Sequence, residues 1–466
     1  RGGGCAGSFQ KFGYDFETTA GLYGSWGRGE LHERVFAELP VETPEARRLD
    51  PAYVVRLPDG ADVTVGGGSW AEFEETLRAS FPECAASAVE FYRRLAPLAS
   101  AVGGALERFP APTETSKLQR ARLAAADPRA YRRLAAARAE TVAEHLSGTS
   151  PRFRDFLDAQ LRAFALVPGD ECSYLFAASA LTAPLRGGLY SLRGGAASLA
   201  DALTESIKRS GGVVRFDAPV LRLAYDAAGR ATGVDLLSGE NVAATRAVVS
   251  NLTVWDTYGK LAGAGRAPAE VRSRLKTLRG RSAYLLFLGA DEEAIARLPA
   301  THLLAAARPD TGADDDDAAR SEFFFNSSPA WDARAPAGKR AVTVSTFADS
   351  EDWFTFHEDE TAHEEQDAAA LEAWWARLHA AVPELGAGVE VIETLTPRDY
   401  YEQTRRRLGL VCGTPRTPAA YAPGAFTHRT HLPNLFVVGD TVFPGGGLSG
   451  ATRSALAAAN EIAPPR

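Results

Sequence analysis

The sequence predicts an α/β fold in which two units are interleaved along the chain. Three observations predict it. Strand-like and helix-like segments are mixed along the chain, and its two halves look interleaved, not strung end to end. The stretch "SLRGGAASLADALTESIKRSGGVVRF" reads helix, turn, strand. Near the C-terminus, "LPNLFVVGDTVFPGGGLSGATRSALAAANEI" reads buried strand, glycine-rich loop, small-residue helix. With 466 residues the chain can build more than one domain. No internal repeat or low-complexity linker separates two halves.

The elements follow in order. "AYVVRLPDGADVTV" alternates, with Tyr53, Val55 and Leu57 on one face and Val63 and Val65 after a Pro58-Asp59-Gly60 turn. That pattern predicts a β-hairpin. From about Trp70 to Ala180 the chain is rich in Ala and Arg and predicts helices broken at Pro110, Pro112 and Pro128. Leu199, Leu203 and Ile207 recur at helical spacing, Gly211-Gly212 stop that helix, and Val213 to Phe216 are expected to begin a strand. A hairpin is expected over "PVLRLAYDAAGRATGVDLL", turning at Asp226 to Arg230, and "RAVVSN" is expected to be a short buried strand. Strands are also expected at "RSAYLLFLGAD", "EFFFN" and "AVTVSTF". Leu371, Trp374, Trp375, Leu378 and Val382 mark the buried face of a helix.

Composition excludes several functions. Apolar residues make up 45% and charged residues 24%, as in ordinary globular enzymes. A net charge of -8 argues against a nucleic-acid partner, which needs a basic surface. Cys5, Cys84, Cys172 and Cys412 show no CxxC spacing and read as free thiols of a reducing compartment. No metal site is expected. Asp314 to Asp317 read as a solvated loop, and His357 and His363 lie six apart among acids, a poor ligand spacing on one helix face. No apolar run of roughly 18 residues marks a membrane-spanning helix.

The C-terminal segment carries the most chemistry. Leu435 to Val438 form a short apolar run, Gly439-Asp440 end it, and Pro444, Gly445, Gly446 and Gly447 lead to Gly450-Ala451-Thr452. Glycines allow close backbone approach, and a helix N-terminus offers free N–H groups to an anion. An Asp at a strand end can accept hydrogen bonds from sugar or ribityl hydroxyls. Two readings follow: a site for a nucleotide-type cofactor, or a tight connection whose glycines serve turn geometry alone. A Walker phosphate loop is excluded, because Arg453 and no Lys follows the glycines.

This segment closely resembles the C-terminal motif of the carotenoid desaturase and isomerase family, a branch of the flavin-dependent amine-oxidase-like superfamily. Asn434, Leu435, Phe436, Gly439, Asp440, Pro444, Gly445, Gly447 and Gly450 occupy the motif's places. "GGCAGSF" with "GYDFE", the helix–turn–strand stretch and "RAVVSN" are similar to other family segments. The resemblance implies a Rossmann-like FAD-binding domain interleaved with an α+β substrate domain. It places the FAD domain at residues 1–50, 188–265 and 425–466, and the substrate domain at 51–187 and 266–424. Gly3 and Gly4 would lie against the cofactor, and Val220 would pair with adenine through its backbone. Gly439 and Gly450 belong to the motif, and Asp440 would bind ribityl or phosphate-side hydroxyls. The N–H groups near Ala451 and Thr452 would face the flavin's pyrimidine edge.

The family's first strand–helix–strand unit, with its GxGxxG turn and ribose-binding Glu, precedes a segment like "RGGGCAGSF". The sequence contains no Met and lacks that unit, so it is expected to be N-terminally incomplete and to bind FAD poorly as it stands. The implied reaction is hydride transfer from an apolar polyene to flavin, carotenoid desaturation, with "EDWFTFHEDETAHEEQDAAALEAWW" and its sequel closest in look to bacterial 3',4'-desaturases. A cis–trans isomerase using reduced FAD is the alternative, and a non-catalytic flavoprotein-like scaffold is an alternative of another class. The flavin-facing Lys and aromatic pair of amine oxidases find no place here. The catalytic base and the electron acceptor stay unassigned, since His428 and His431 read as structural or surface histidines. A carotenoid must come from a membrane through an apolar tunnel. The basic stretch with Lys117, Arg120, Arg122, Arg129, Arg132 and Arg133 fits either an anionic membrane surface or a solvated helix pair. The expected location is cytoplasmic, at the membrane periphery.

Overall fold

The computed structural model describes residues 2–108, 111, 114, 116–306, 322–355 and 358–464. Asp314 to Asp317 and His357 lie outside the described residues.

The chain opens with the hairpin β1 (Ser8–Lys11) and β2 (Tyr14–Glu17), then β3 (Tyr23–Gly24) and β4 (Ala46–Arg48). β5 (Tyr53–Arg56) and β6 (Asp62–Val65) form the expected hairpin, with Tyr53 opposite Val65 and Val55 opposite Val63. The Ala- and Arg-rich stretch folds into the helices Trp70–Ser80, Ala85–Arg108, Lys117–Ala126, Pro128–Ala137, Pro151–Ala165 and Tyr174–Arg186. Ser69 and Glu72 make a capping box at the first of these. Pro128 sits in the first turn of its helix, where a missing N–H costs nothing, and Asp127 caps that turn.

β7 (Leu189–Leu192) leads into the helix Gly195–Arg209. The strand expected from Val213 is not formed. That segment has no ladder partner, and Val213 and Phe216 stand 82% and 52% exposed. Extended sequence becomes a strand only where a neighbour supplies hydrogen bonds and an apolar face. β8 (Val220–Tyr225), β9 (Ala231–Leu236) and β10 (Asn241–Ala243) form a three-stranded antiparallel sheet with the expected turn, in which Asp226 N–H donates to the Arg230 carbonyl. β11 (Val248–Ser250) is the strand expected at "RAVVSN", but its Val249 is exposed, not buried.

A seven-stranded mixed sheet dominates the remainder. β12 (Ser282–Asp291), β13 (His302–Ala305), β14 (Phe323–Ser327), β15 (Lys339–Ala348) and β16 (Val389–Leu395) join the first hairpin in the order β16-β12-β15-β14-β13-β5-β6. Only β13 and β5 run parallel. β12 is buried almost throughout because both faces are covered. Tyr284, Leu286 and Leu288 pack with Trp374 and Leu378 of the helix Glu360–Ala381. Leu285 and Phe287 pack on the other face with Tyr14 and Phe16 of the first hairpin. β17 (Leu435–Val437) pairs in parallel with β11, and the helix Gly447–Ile462 follows it.

Candidate cofactor site

The C-terminal strand, loop and helix form a tightly folded unit. Gly439 has φ +117°, and its N–H donates to the Ser454 hydroxyl at 2.9 Å, tying the strand end to the last helix. Ser454 donates in turn to the Ala451 carbonyl at 2.8 Å. Gly450 has no room for a side chain, since a Cβ there would lie 2.1 Å from the Gly445 carbonyl oxygen. The glycine therefore lets the helix start fold back onto its own loop.

Around this unit stand two arginines and one carboxylate. Asp440 accepts from Arg406 Nη2 at 2.9 and 3.1 Å. The Arg406 Nε donates to the Leu410 carbonyl at 2.7 Å. Burial opposes the Arg406 charge, but Asp440 outweighs it and holds the guanidinium above its usual range. Arg416 Nη2 donates to the Asp440 carbonyl at 3.0 Å. Cys412 has a left-handed backbone, φ +57°, and is solvent-accessible. Burial, then Asp440, pushes its thiol up to about 12.

The N-terminal loop reaches the same place. Gly3 and Gly4 are left-handed, and the Ala6 N–H donates to the Gly3 carbonyl at 3.0 Å, closing a turn. A Cβ on Gly3 would strike the Ala6 carbonyl oxygen at 2.5 Å. Thr18 binds that loop: its hydroxyl donates to the Cys5 carbonyl at 2.8 Å and accepts from the Gly7 N–H at 3.1 Å. Burial raises the Cys5 thiol, while the charge of Arg406 works against that rise. Cys5, the neighbour of Gly3 and Gly4, thus lies within electrostatic reach of Arg406 and Asp440.

The other candidates sit differently. Ala451 and Thr452 lie beyond the first turn of a helix that begins at Gly447. The N–H groups without intrahelical acceptors are those of the first turn, Gly447 to Ser449. Thr452 uses its hydroxyl on His32 Nε2, 3.2 Å away, while His32 Nδ1 faces the Gly24 carbonyl at 3.0 Å. Burial lowers His32 to about 4, so the ring is neutral. Val220 opens β8 opposite Leu236, exposed, in a separate sheet. His428 is held by Glu461 at 3.1 Å, and His431 stacks on Tyr258 with Nε2 2.9 Å from the Arg266 carbonyl. His363 is buried beside Trp353. No group of three or more metal-ligating side chains occurs among the described residues.

Sequence reading missed one buried network beneath the site. Glu17 accepts from Arg334 Nη1 at 2.8 Å, Tyr23 at 2.5 Å, Thr19 at 3.0 Å and the Ala196 N–H at 3.3 Å. Arg334 Nε donates to Asp332 at 2.6 Å, and Asp332 accepts from the Gly194 N–H at 2.8 Å. Two carboxylates thus meet the N-terminal end of the helix Gly195–Arg209, where negative charge is favoured. Burial works to raise Glu17, but the Arg334 charge and these hydrogen bonds prevail and hold it below its usual range.

A groove of about 290 Å³ lies between β6 and the helix Trp70–Ser80. Asp50, Glu72 and three glycines line it, so it is not the expected apolar tunnel. No described helix is long and apolar enough to cross a membrane.

Comparison with known proteins bears on this site. The family model described as "Flavin containing amine oxidoreductase" matches residues 69–463. A chloroplastic prolycopene isomerase of Arabidopsis thaliana is 26% identical over 315 residues, covering 67% of this chain and 52% of that protein. An all-trans-retinol 13,14-reductase of Danio rerio is 27% identical over 300 residues, covering 58% and 49%. The chain spans about half the length of the curated relatives it matches. Among solved structures, an oxidoreductase from Methanosarcina mazei aligns with TM-score 0.61 at 15% identity, over 98% of this chain and 91% of that one. A putrescine oxidase bound to putrescine aligns with TM-score 0.60 at 14% identity, over 98% and 90%. The structural likenesses concern the fold.

Proposed function

We propose that this chain, which belongs to the flavin containing amine oxidoreductase family and is an FAD-dependent oxidoreductase, acts on a carotenoid-type polyene. The observation that supports a cofactor cleft most directly is the meeting of Gly3–Cys5 with Gly439–Gly450 around Arg406 and Asp440. The donor set fits a flavin dinucleotide: left-handed glycines for close approach, a carboxylate for hydroxyls, and a helix start with free N–H groups. Bound flavin supplies a two-electron acceptor for hydride from an unactivated C–H bond, which no side chain provides. The chain's part is to hold and orient. Gly3, Gly4 and Gly450 admit the ligand, Asp440 receives its hydroxyls, Val220 offers a backbone to adenine, and the last helix opposes an anionic edge. Ala451 and Thr452 support that edge from the following turn, where His32 fixes the Thr452 hydroxyl.

Desaturation by hydride transfer is the leading reading. The names of the prolycopene isomerases favour a second, cis–trans isomerisation without net oxidation. Expression in a host that accumulates acyclic carotenes separates them. Loss of two hydrogens with a red-shifted spectrum supports desaturation. Unchanged mass with loss of the cis band supports isomerisation. Unaltered pigment overturns both and leaves the non-catalytic reading.

The domain division is also proposed. In its support, no strand ladder among the described residues joins residues 1–50, 188–265 or 425–466 to the other set. That a further strand–helix–strand unit packs against this region belongs to the same proposal. The exposed edge of β11 and the unpaired Val213–Phe216 segment support it, because parallel strands are normally buried on both faces. We place the chain at a membrane periphery. Lys117, Arg120, Arg122, Arg129, Arg132 and Arg133 are all exposed on two successive helices, with Leu118 exposed beside them. Cosedimentation with anionic but not neutral vesicles tests this.

A further inference from the structure

We propose that Arg416 is the buried cation for an anionic group bound at the start of the helix Gly447–Ile462, an inference that rests on the flavin reading. Arg416 is only 2% exposed. Its Nη2 donates to the backbone carbonyls of Asp440 at 3.0 Å and Cys412 at 3.4 Å. Among the described residues no carboxylate pairs with it, since Asp440 is taken by Arg406. Its Nε and Nη1 have no acceptor there. The guanidinium lies over the glycine loop: a Cβ on Gly445 would be 2.0 Å from Nη1, and one on Gly446 3.3 Å from Nε.

Gly446 is the N-cap of the last helix, with no side-chain cap and no acidic residue in the first turn. Ser449, in that turn, donates instead to the Gly24 carbonyl and the Ser25 hydroxyl. A full positive charge is therefore packed against the positive end of a 16-residue helix. The two repel, and a buried charge without a counterion is strongly unfavourable. The neighbouring titratable groups supply no anion: burial pushes the thiols of Cys412 and Cys5 and the Tyr421 hydroxyl upward, which keeps them neutral. With Arg406 and Asp440 cancelling, one positive charge remains. A ligand anion between guanidinium and helix start removes the conflict. Two parts of a flavin dinucleotide carry such charge, the phosphates and the ring once reduced.

The test compares the 466-residue chain with Arg416→Met and Arg416→Gln, the second variant guarding against misfolding of the first. Sodium sulfate, against sodium chloride at equal ionic strength, is titrated while thermal unfolding is followed. Sulfate is expected to raise the unfolding temperature of the unaltered chain more than that of the variants. FAD and riboflavin are then titrated by fluorescence, and the two-electron potential of each loaded form is measured. If the anion is a phosphate, the variants bind oxidised FAD at least tenfold more weakly and riboflavin unchanged. If it is the reduced ring, oxidised binding is retained and reduced FAD binds tenfold more weakly, a fall of about 30 mV in potential. A sulfate difference with flavin affinity and potential unchanged by either variant keeps the anion site and overturns its assignment to the flavin. Equal sulfate response, flavin affinity and potential in all three proteins overturn the proposal.

Discussion

Two regions of this molecule bury their sheets to very different extents. In the seven-stranded sheet, β12 runs between two covered faces, and Tyr284, Phe287 and Leu288 are no more than 1% exposed. In the region from the helix Gly195–Arg209 to β11, Leu203, Ile207, Val213, Phe216, Leu221 and Val249 face solvent. Its sheets have two and three strands, and among the described residues β11 pairs only with β17. Apolar residues occur in both regions. What differs is the supply of neighbours, so the first region is complete in itself and the second presents a face suited to a partner.

The comparison breaks most visibly at Phe287. It packs edge-on against Phe9 at 4.8 Å and against Phe16 at 5.3 Å. Phe287→Ala is expected to cost about 3–5 kcal/mol, since the surrounding strands cannot collapse into the space. Denaturant unfolding with an unchanged m-value checks it. A loss below 1 kcal/mol would show that the large sheet is less closely packed than described.

Glu17 and Arg334 sharpen the comparison because they join the two regions. Glu17→Ala strands a buried guanidinium and is expected to cost about 3 kcal/mol, with Asp332 still holding Nε. The pair also sets a pH dependence. The Glu17 carboxyl is held below its ordinary 4.5, so its contribution is present above that pH and is lost as pH falls through the lower folded value. His32 acts in a higher window. Its folded value of about 4 lies below the ordinary 6.5, so the unfolded chain takes up the proton first. Stability therefore declines as pH falls from 6.5 towards 4, and His32→Phe is expected to flatten that part of the profile.

A smaller effect is expected at Thr452, whose hydroxyl meets His32 across the site. Thr452→Val removes one buried hydrogen bond, a loss of about 1 kcal/mol in the unfolding free energy. No measurable change would mean that the histidine turns to another partner.

Local pattern made much of this architecture legible. Alternation and a Pro-Asp-Gly turn marked β5 and β6, and helical spacing marked the helix Gly195–Arg209. The C-terminal strand, glycine loop and helix were legible because close backbone approach needs glycine in succession. What escaped were partnerships across the chain. Glu17 and Arg334 lie 317 residues apart, and Arg416 is one arginine among many until its burial is known. His32 lies in the short helix Leu31–Ala37, for which no sequence signal was read. The strand expected at Val213 failed for the converse reason: its composition was right, and the neighbour it needs is not among the described residues.

The smallest expected effect is also the sharpest test of the comparison. Val213 is 82% exposed, and its substitution removes almost no buried surface. Val213→Ser should change stability by no more than about 0.5 kcal/mol, the ordinary range for surface positions. The same is expected of Val249→Thr, which keeps the branched shape and the strand preference of β11. What should change is the surface: both substitutions together are expected to lower binding of a hydrophobic dye and to reduce self-association. The paired outcome matters, because a stability loss of 2 kcal/mol or more from either would mean that the residue is already covered. The region would then be as complete as the seven-stranded sheet, and the proposal that a further strand–helix–strand unit packs there would fall.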